Sequence, residues 1–243
     1  MRNLYMGWDS RQSLAYDVME WSLYNHSKDI NVLPLKINDL RSQGIYTRPD
    51  DPLSATEFTF TRYLVPYLHD YKGWATFIDS DMLMLTDINP LLDQADDDYA
   101  IMVAKPNYDF EEGLKMDGQK KFRYPMLPDG TTRKNWSSLI MFNCAHPSNR
   151  VLTPDLVNNT DYNGIWFHQF QWLCEWEIGE FDIEWNWLIN VHEEPRDGSP
   201  KILHYTDGGP WFPQHKNGLY AKEWFSALDS FENGLNISLS EVG

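Results

Sequence analysis

Two cysteines in 243 residues, Cys144 and Cys174, fit no Cys-x-x-Cys spacing. They give no disulfide framework, which points to a reducing compartment with both as small buried hydrophobes. A run of about eighteen apolar residues, the length needed to cross a bilayer, is also missing. The opening stretch MRNLYMGWDSRQ holds no apolar segment of signal-peptide length. From these absences the chain is expected to be soluble and cytoplasmic, with no transmembrane segment. Positive charge is scarce: 20 Lys and Arg stand against 36 Asp and Glu, a formal charge of −16. That excludes a sequence-blind nucleic-acid binder, which needs a basic face. An anionic substrate is admissible only where a metal ion or placed arginines offset the field. Internal repeats and low-complexity linkers are lacking too.

What is present suits one large α/β domain, with 42% hydrophobic residues and eleven tryptophans. Residues 3–8 read as a first strand. A helix follows, with Leu14, Val18 and Trp21 at helical spacing and Asp9 or Ser10 as its cap. Residues 30–37 read as a second strand, at an edge because of Pro34. Ser54 and Glu57 have capping-box spacing and predict a helix from Ser54, which Pro66 kinks or ends. Residues 74–78, 99–105 and 138–143 are short continuous apolar runs, the pattern of central parallel strands buried on both faces. Alternating strands and helices predict a mostly parallel sheet with helices on both faces. Residues 106–135, rich in Pro, Gly, Lys and Asp, read as a long surface excursion. Its Lys115, Lys120, Lys121 and Arg123 read either as part of a lid over a ligand or as a solvated charged loop.

The run GWATFIDSDMLML, residues 73–85, carries Asp79 and Asp81 where a buried strand should finish. In open α/β sheets ligands sit at the carboxyl ends of the strands. Two carboxylates placed there repel unless a cation or a shared proton intervenes. A hard divalent ion, Mg²⁺ or Mn²⁺, completed by substrate phosphates meets that need.

Residues 60–88, FTRYLVPYLHDYKGWATFIDSDMLMLTDI, resemble the central block of retaining glycosyltransferases of family 8, which include glycogenin and lipopolysaccharide galactosyltransferases. Further blocks follow in the family's order. Residues 5–23 resemble its first strand and helix, and NWSSLIMFN (135–143) its NSGVMLIN strand. HQFQWL (168–173) with EWNWL (184–188) resembles its DQDxLN…WN segment, and LHYTDGGPW (203–211) its HFxGxxKPW. The resemblance covers most of residues 1–215. It implies one nucleotide-diphospho-sugar transferase domain of the GT-A type over 1–243. Within it, 1–105 would be the nucleotide-binding half, 106–215 the acceptor side and 216–243 a C-terminal tail.

The resemblance implies roles residue by residue. Asp79, Asp81 and His204 match the metal ligands, and a nitrogen in that set favours Mn²⁺ over Mg²⁺. Ser80 lies beside the donor's ribose or sugar, and Arg62 faces its phosphate or sugar. Gly7, Trp8 and Asp9 match the nucleotide pocket, where Trp8 would stack on a base and Asp9 is either a uracil or ribose contact or a helix cap. Gly208 and Gly209 would offer backbone N–H groups to the diphosphate. Gln169 matches the position beneath the anomeric carbon, with His168 beside it. The partners implied are a nucleotide-sugar, UDP-sugar foremost, and a carbohydrate or other hydroxyl acceptor.

Three departures stand out. The family's lysine before Pro-Trp is missing, with Lys216, Arg48 or Lys105 as substitutes. Its DQ reads His168-Gln169, and its NSG reads Trp136-Ser137-Ser138. An inverting enzyme would need a carboxylate base, for which Glu175, Glu177 and Glu184 are available. Trp172 and Trp176, at i,i+4 spacing, are expected as core, with Trp166 or Trp211 toward an acceptor. A nucleotidyltransferase or a non-catalytic binding module on the same fold are the alternatives.

Overall fold

The structure is a computed structural model that describes residues 1–106, 114–115, 119–120, 123–192 and 200–241. Its elements, in chain order, begin with β1 (Arg2–Gly7), α1 (Ser13–His26), β2 (Ile30–Leu35) and α2 (Ile37–Ser42). There follow α3 (Val65–Leu68), β3 (Trp74–Ile78), β4 (Met82–Met84), α4 (Asn89–Leu92) and β5 (Ile101–Val103). After β5 come the short β6 (Leu114–Lys115) and β7 (Gln119–Lys120), then β8 (Leu139–Asn143), α5 (Pro154–Asn158) and α6 (Gly164–His168). The chain closes with β9 (Ile178–Glu180), β10 (Trp187–Leu188), β11 (Ile202–His204) and α7 (Ala221–Glu241).

The central sheet runs β2-β1-β3-β8-β5-β9. Its pairings are parallel except those of β8, which runs antiparallel to both β3 and β5. The expectation of a mostly parallel sheet holds, but residues 139–143 are antiparallel. Burial on both faces does not encode direction, so the apolar run alone could not reveal this.

Why these runs are continuous is visible in the pleat, which sends successive side chains to opposite faces. Tyr5, Ala75, Phe77, Ile101, Val103, Ile140 and Phe142 enter one core. Leu4, Met6, Ile78, Met102, Leu139 and Met141 enter a second, shared with Tyr16, Met19 and Leu23 of α1. Fully burying a side chain such as Phe77 contributes about 1.5–3 kcal/mol. Pro34 lies on the edge strand β2, where its missing N–H leaves no inner ladder broken.

A small sheet, β10-β11-β4, stands beside the large one. The helix α1 ties it down from behind: the Met84 N–H donates to Ser22 Oγ (3.1 Å), and the Ile88 N–H to Ser27 Oγ (3.0 Å). A third core of Val18, Leu83, Trp187, Leu203, Tyr205 and Trp224 lies under this sheet. The closing helix α7 packs on α1, where Gly234 lets the Trp21 ring lie against it; a Cβ there would come within 2.2 Å of that ring.

Five local expectations are corrected. Residues 54–60 form turns, not a helix, because the Glu57 carboxylate accepts from Ser10 instead of completing a capping box. Pro66 opens α3 rather than ending a helix, the position where its missing N–H costs nothing. Trp172 and Trp176 do not share a helix: α6 ends at His168, and Trp176 is 77% exposed. Cys144 is buried as expected, but Cys174 is exposed. Of α1's expected apolar stripe Val18 is buried, whereas Leu14 faces outward. Among the described residues no helix is long and apolar enough to cross a membrane. Residues 107–113, 116–118 and 121–122, on which the lid reading partly falls, lie outside the described residues.

Candidate metal and donor site

The carboxyl ends of β1 and β3 and the start of β8 share one edge of the large sheet, since Met6 pairs with Ile78 and Ile78 with Leu139. At that edge Asp79, Ser80 and Asp81 carry the chain from β3 into β4 of the small sheet. The step is fixed at both ends: the Asp79 N–H donates to Ser138 O (2.8 Å), and Asp81 O accepts from the Tyr205 N–H (2.9 Å). Antiparallel pairing of β4 with β11 then sets His204 opposite Met82, next to Asp81. Asp79, Asp81 and His204 each offer one ligand atom, all within 4.8 Å of one another. Chain positions 81 and 204 are joined by strand register alone.

The donor chemistry of this cluster fits a divalent cation. His204 Nδ1 lies 2.8 Å from Asn186 Oδ1, an acceptor, so in the neutral ring Nδ1 carries the proton and Nε2 presents its lone pair. That Nε2 stands 3.5 Å from Asp81 Oδ1, beyond hydrogen-bond range. Two acceptors facing each other across such a gap are held most favourably by a cation between them. One ion with bonds of about 2.1 Å spans ligands up to about 4.2 Å apart, so at most a small inward rotation is needed.

Arg62 is 4% exposed and forms the other wall. Its Nη1 lies 2.9 Å from Asp79 Oδ1 and donates to Ser137 O (2.7 Å), while its guanidinium covers the Phe77 ring at 4.7 Å. Behind it, His168 Nδ1 lies 2.7 Å from Ser137 Oγ and 2.9 Å from Tyr63 Oη. Burial pushes the Tyr124 phenol up to about 12, with Arg62 pulling it down and Asp79 pushing it up.

The remaining candidates are placed as follows. Asp9 is fully buried: its Oδ1 accepts from the Arg11 N–H and Nε, and its Oδ2 from Arg11 Nη2 and the Glu57 N–H. Burial acts to raise its carboxyl, but these donors hold it below the usual range. Gly7 makes room for Phe58, whose ring would lie 2.5 Å from an added Cβ. Trp8 packs half-buried on the second core with Lys36 Nζ 5.1 Å from its ring centre. Ser80 is buried between the two aspartates. The Gly208 N–H closes a turn onto Tyr205 O (2.7 Å) at φ +107°, and Gly209 lies under the Trp211 ring, which would meet a Cβ at 1.9 Å.

Gln169 is fully buried; its Nε2 donates to Pro125 O (2.7 Å) and Thr132 O (3.0 Å), and its Oε1 accepts from Gln171 Nε2. Of the substitutes for the family's lysine, Arg48 binds the carbonyls of Val157, Asn159 and Tyr162. Lys105 binds Glu175 and Ile178 O, and Lys216 is exposed. Sequence reasoning singled out Ser137 and Ser138 as departures from the family's NSG, at positions near the donor sugar in the family, but missed Tyr63 and Asn186 as site residues, although Asn186 stands inside EWNWL.

No family model matches the chain. Protein CDI of Arabidopsis thaliana is 41% identical over 232 residues, which are 94% of this chain and 86% of that one. The chain belongs to the family of Protein CDI. Its fold is shared with solved glycosyltransferases. GlyE of Streptococcus pneumoniae superposes with a TM-score of 0.63 at 15% identity over 99% of this chain. The chain spans only 64% of the length of GlyE. The galactosyltransferase LgtC, solved with donor and acceptor sugar analogues, gives 0.57 at 11% identity, covering 94% of this chain and 95% of that one. Mouse xyloside xylosyltransferase 1 gives 0.51 at 11% identity, covering 86% of this chain and 99% of that one. The fold is therefore the GT-A type, and the edge that holds Asp79, Asp81 and His204 is the carboxyl edge of its sheet.

Proposed function

We propose that the chain is a divalent-metal-dependent glycosyltransferase that moves a hexose from a nucleoside-diphosphate sugar, UDP-sugar first, to a hydroxyl of a carbohydrate acceptor. The observation that carries this is the Asp79–Asp81–His204 cluster at the carboxyl edge of a GT-A sheet, with the His204 lone pair turned toward Asp81. The three side chains would hold Mn²⁺ or Mg²⁺, which when bound supplies Lewis-acid stabilisation of the charge that develops on the leaving diphosphate. The imidazole in the set makes Mn²⁺ the first choice.

The chain's own residues divide the remaining work. Arg62, held by Ser137 O and the Phe77 face, fixes the Asp79 carboxylate. Trp8, Asp9 and Gly7 shape the end of β1, where the base and ribose would lie, with the Trp8 face available for stacking. His168 and Gln169 stand behind the reacting centre: His168 braces Ser137 and Tyr63, and Gln169 fastens the segment around Pro125 and Thr132. Ser80, between the two ligands, lies beside the donor, and Gly208 and Gly209 shape the turn that follows His204. The ordered motif blocks support, as part of this proposal, retention of configuration and kinship with glycosyltransferase family 8.

The test is a thermal-shift titration with UDP, GDP and CDP, with and without Mn²⁺, on wild type and Asp81→Ala. A ligand that binds only the native state at a hundred times its Kd stabilises by about 2.7 kcal/mol. The expected result is a Mn²⁺-dependent shift with UDP that Asp81→Ala loses. No shift with any nucleotide sinks the transferase reading. Nucleotide binding without sugar release from any UDP-hexose makes the chain a binding module.

A further inference from the structure

The proton bookkeeping behind His204 runs further than the three ligands. Ser138 Oγ–H donates to Asn135 O at 2.9 Å, so its lone pair accepts the Asn186 Nδ2–H at 3.0 Å. Asn135 O accepts from the same amide nitrogen at 3.3 Å. The Asn135 carbonyl can only accept, so the Asn186 NH₂ faces it together with the Ser138 hydroxyl that donates to the same carbonyl, and its Oδ1 faces His204 Nδ1, 2.8 Å away. Asn186 is fully buried, and Ser138 and His204 nearly so, so a reversed amide would set its Oδ1 against the Asn135 carbonyl out of water's reach. Backbone register holds the participants: β11 pairs with β10, which begins at Trp187, and Ser138 O carries the Asp79 N–H.

We propose that Asn186, oriented by Ser138 and Asn135 O, is a positioning residue that locks His204 in the Nδ1–H tautomer and so commits Nε2 to the metal. This rests on the metal reading above and extends it to a hydrogen-bond relay outside the ligand set. A metal-bound histidine characteristically donates its other ring N–H to such a partner, and loss of the partner weakens metal binding by about 10–100-fold. The relay also gives the serine at 138 a purpose: a glycine there has no hydroxyl to orient the amide.

The experiment uses the full chain with ¹⁵N-labelled histidine. Long-range ¹H–¹⁵N spectra of the metal-free wild type read the His204 tautomer directly, without any variant having to fold. Mn²⁺ titration by calorimetry then compares wild type, Asn186→Leu, Asn186→Asp and Ser138→Ala. The expected result is Nδ1–H in the wild type and a Mn²⁺ Kd raised about 10–100-fold in Asn186→Leu. Asn186→Asp, which keeps an acceptor on Nδ1, should retain both the tautomer and near wild-type affinity, and Ser138→Ala should fall between. An Nε2–H tautomer or a doubly protonated ring in the metal-free protein overturns the relay whatever the metal does. Nδ1–H with no Mn²⁺ binding by wild type overturns the metal reading and Asn186's role with it. Equal Mn²⁺ affinity in Asn186→Leu and wild type reduces Asn186 to a structural residue and overturns the proposal alone.

Discussion

Adjacent parallel strands each end in acid, and the two ends behave differently. After β1, Asp9 is enclosed by four donors from Arg11 and Glu57, so its lone pairs are spent on the protein itself. After β3, Asp79 and Asp81 converge on a histidine whose lone pair points toward them. Position at a strand end is thus shared by a helix cap and a candidate metal site. What each carboxylate faces separates them: Asp9 meets four donors of the protein, whereas Asp81 Oδ1 faces His204 Nε2 at 3.5 Å, an arrangement that a cation would hold.

The largest expected effect tests the wall between the two ends. Arg62→Ala removes a buried cation from Asp79 and leaves Ser137 O without its donor; breaking such a buried pair costs about 3–5 kcal/mol, read as a fall in the urea midpoint. Recovery of most of that loss in Arg62→Leu/Asp79→Leu would show that the uncompensated carboxylate carries the cost.

Next comes Asp81→Ala. It should weaken Mn²⁺ binding at least about a hundredfold, or about 2.7 kcal/mol, with the melting temperature of the metal-free protein little changed. Asp9→Ala should do the reverse, costing about 0.5–2 kcal/mol as a lost cap while leaving the Mn²⁺ Kd intact. If both substitutions acted on stability alone, the distinction between the two strand ends would collapse.

The pH dependence sharpens it. Asp9 has a folded-state pKa below its unfolded value, so its contribution is present above the unfolded pKa and is lost as pH falls through the folded one. The stability gap between wild type and Asp9→Asn should therefore be full at neutral pH and shrink in acid, measured by urea unfolding across that range. Smallest is Trp176→Ala: at 77% exposure it should change stability by less than about 0.5 kcal/mol, against a clear loss for Trp172→Ala, whose ring packs on Tyr63 and Phe170.

Much of the frame was legible in the sequence because burial on both faces leaves a mark: residues 74–78 and 139–143 alternate between two cores and, Thr76 and Asn143 apart, are apolar throughout. Direction left no mark, and β8 was read as parallel. The capping-box spacing at Ser54 misled because Glu57 is drawn to Ser10, a partner 47 positions away that spacing cannot reveal. Asp79, Asp81 and His204 could be nominated together from motif order, and the structure brings them together. Asn186 could not be nominated, and Ser138 only as a departure from the family's NSG, since their importance lies in which way an amide faces, a property of the folded network. The exposure of Trp176 was hidden for a similar reason: an i,i+4 spacing means a shared face only if the helix continues, and α6 stops at His168.

The pairing of β4 with β11 has a temporal side. Asp81 and His204 are 123 residues apart, and at about 5–20 residues per second a ribosome needs about 6–25 s to pass from one to the other. Throughout that interval the nascent chain owns two aspartates and no imidazole partner for them. On the metal reading proposed above, an Mn²⁺ ion that met the emerging chain early would find only the two aspartates, and full affinity would arrive once β11 had been made and docked against β4.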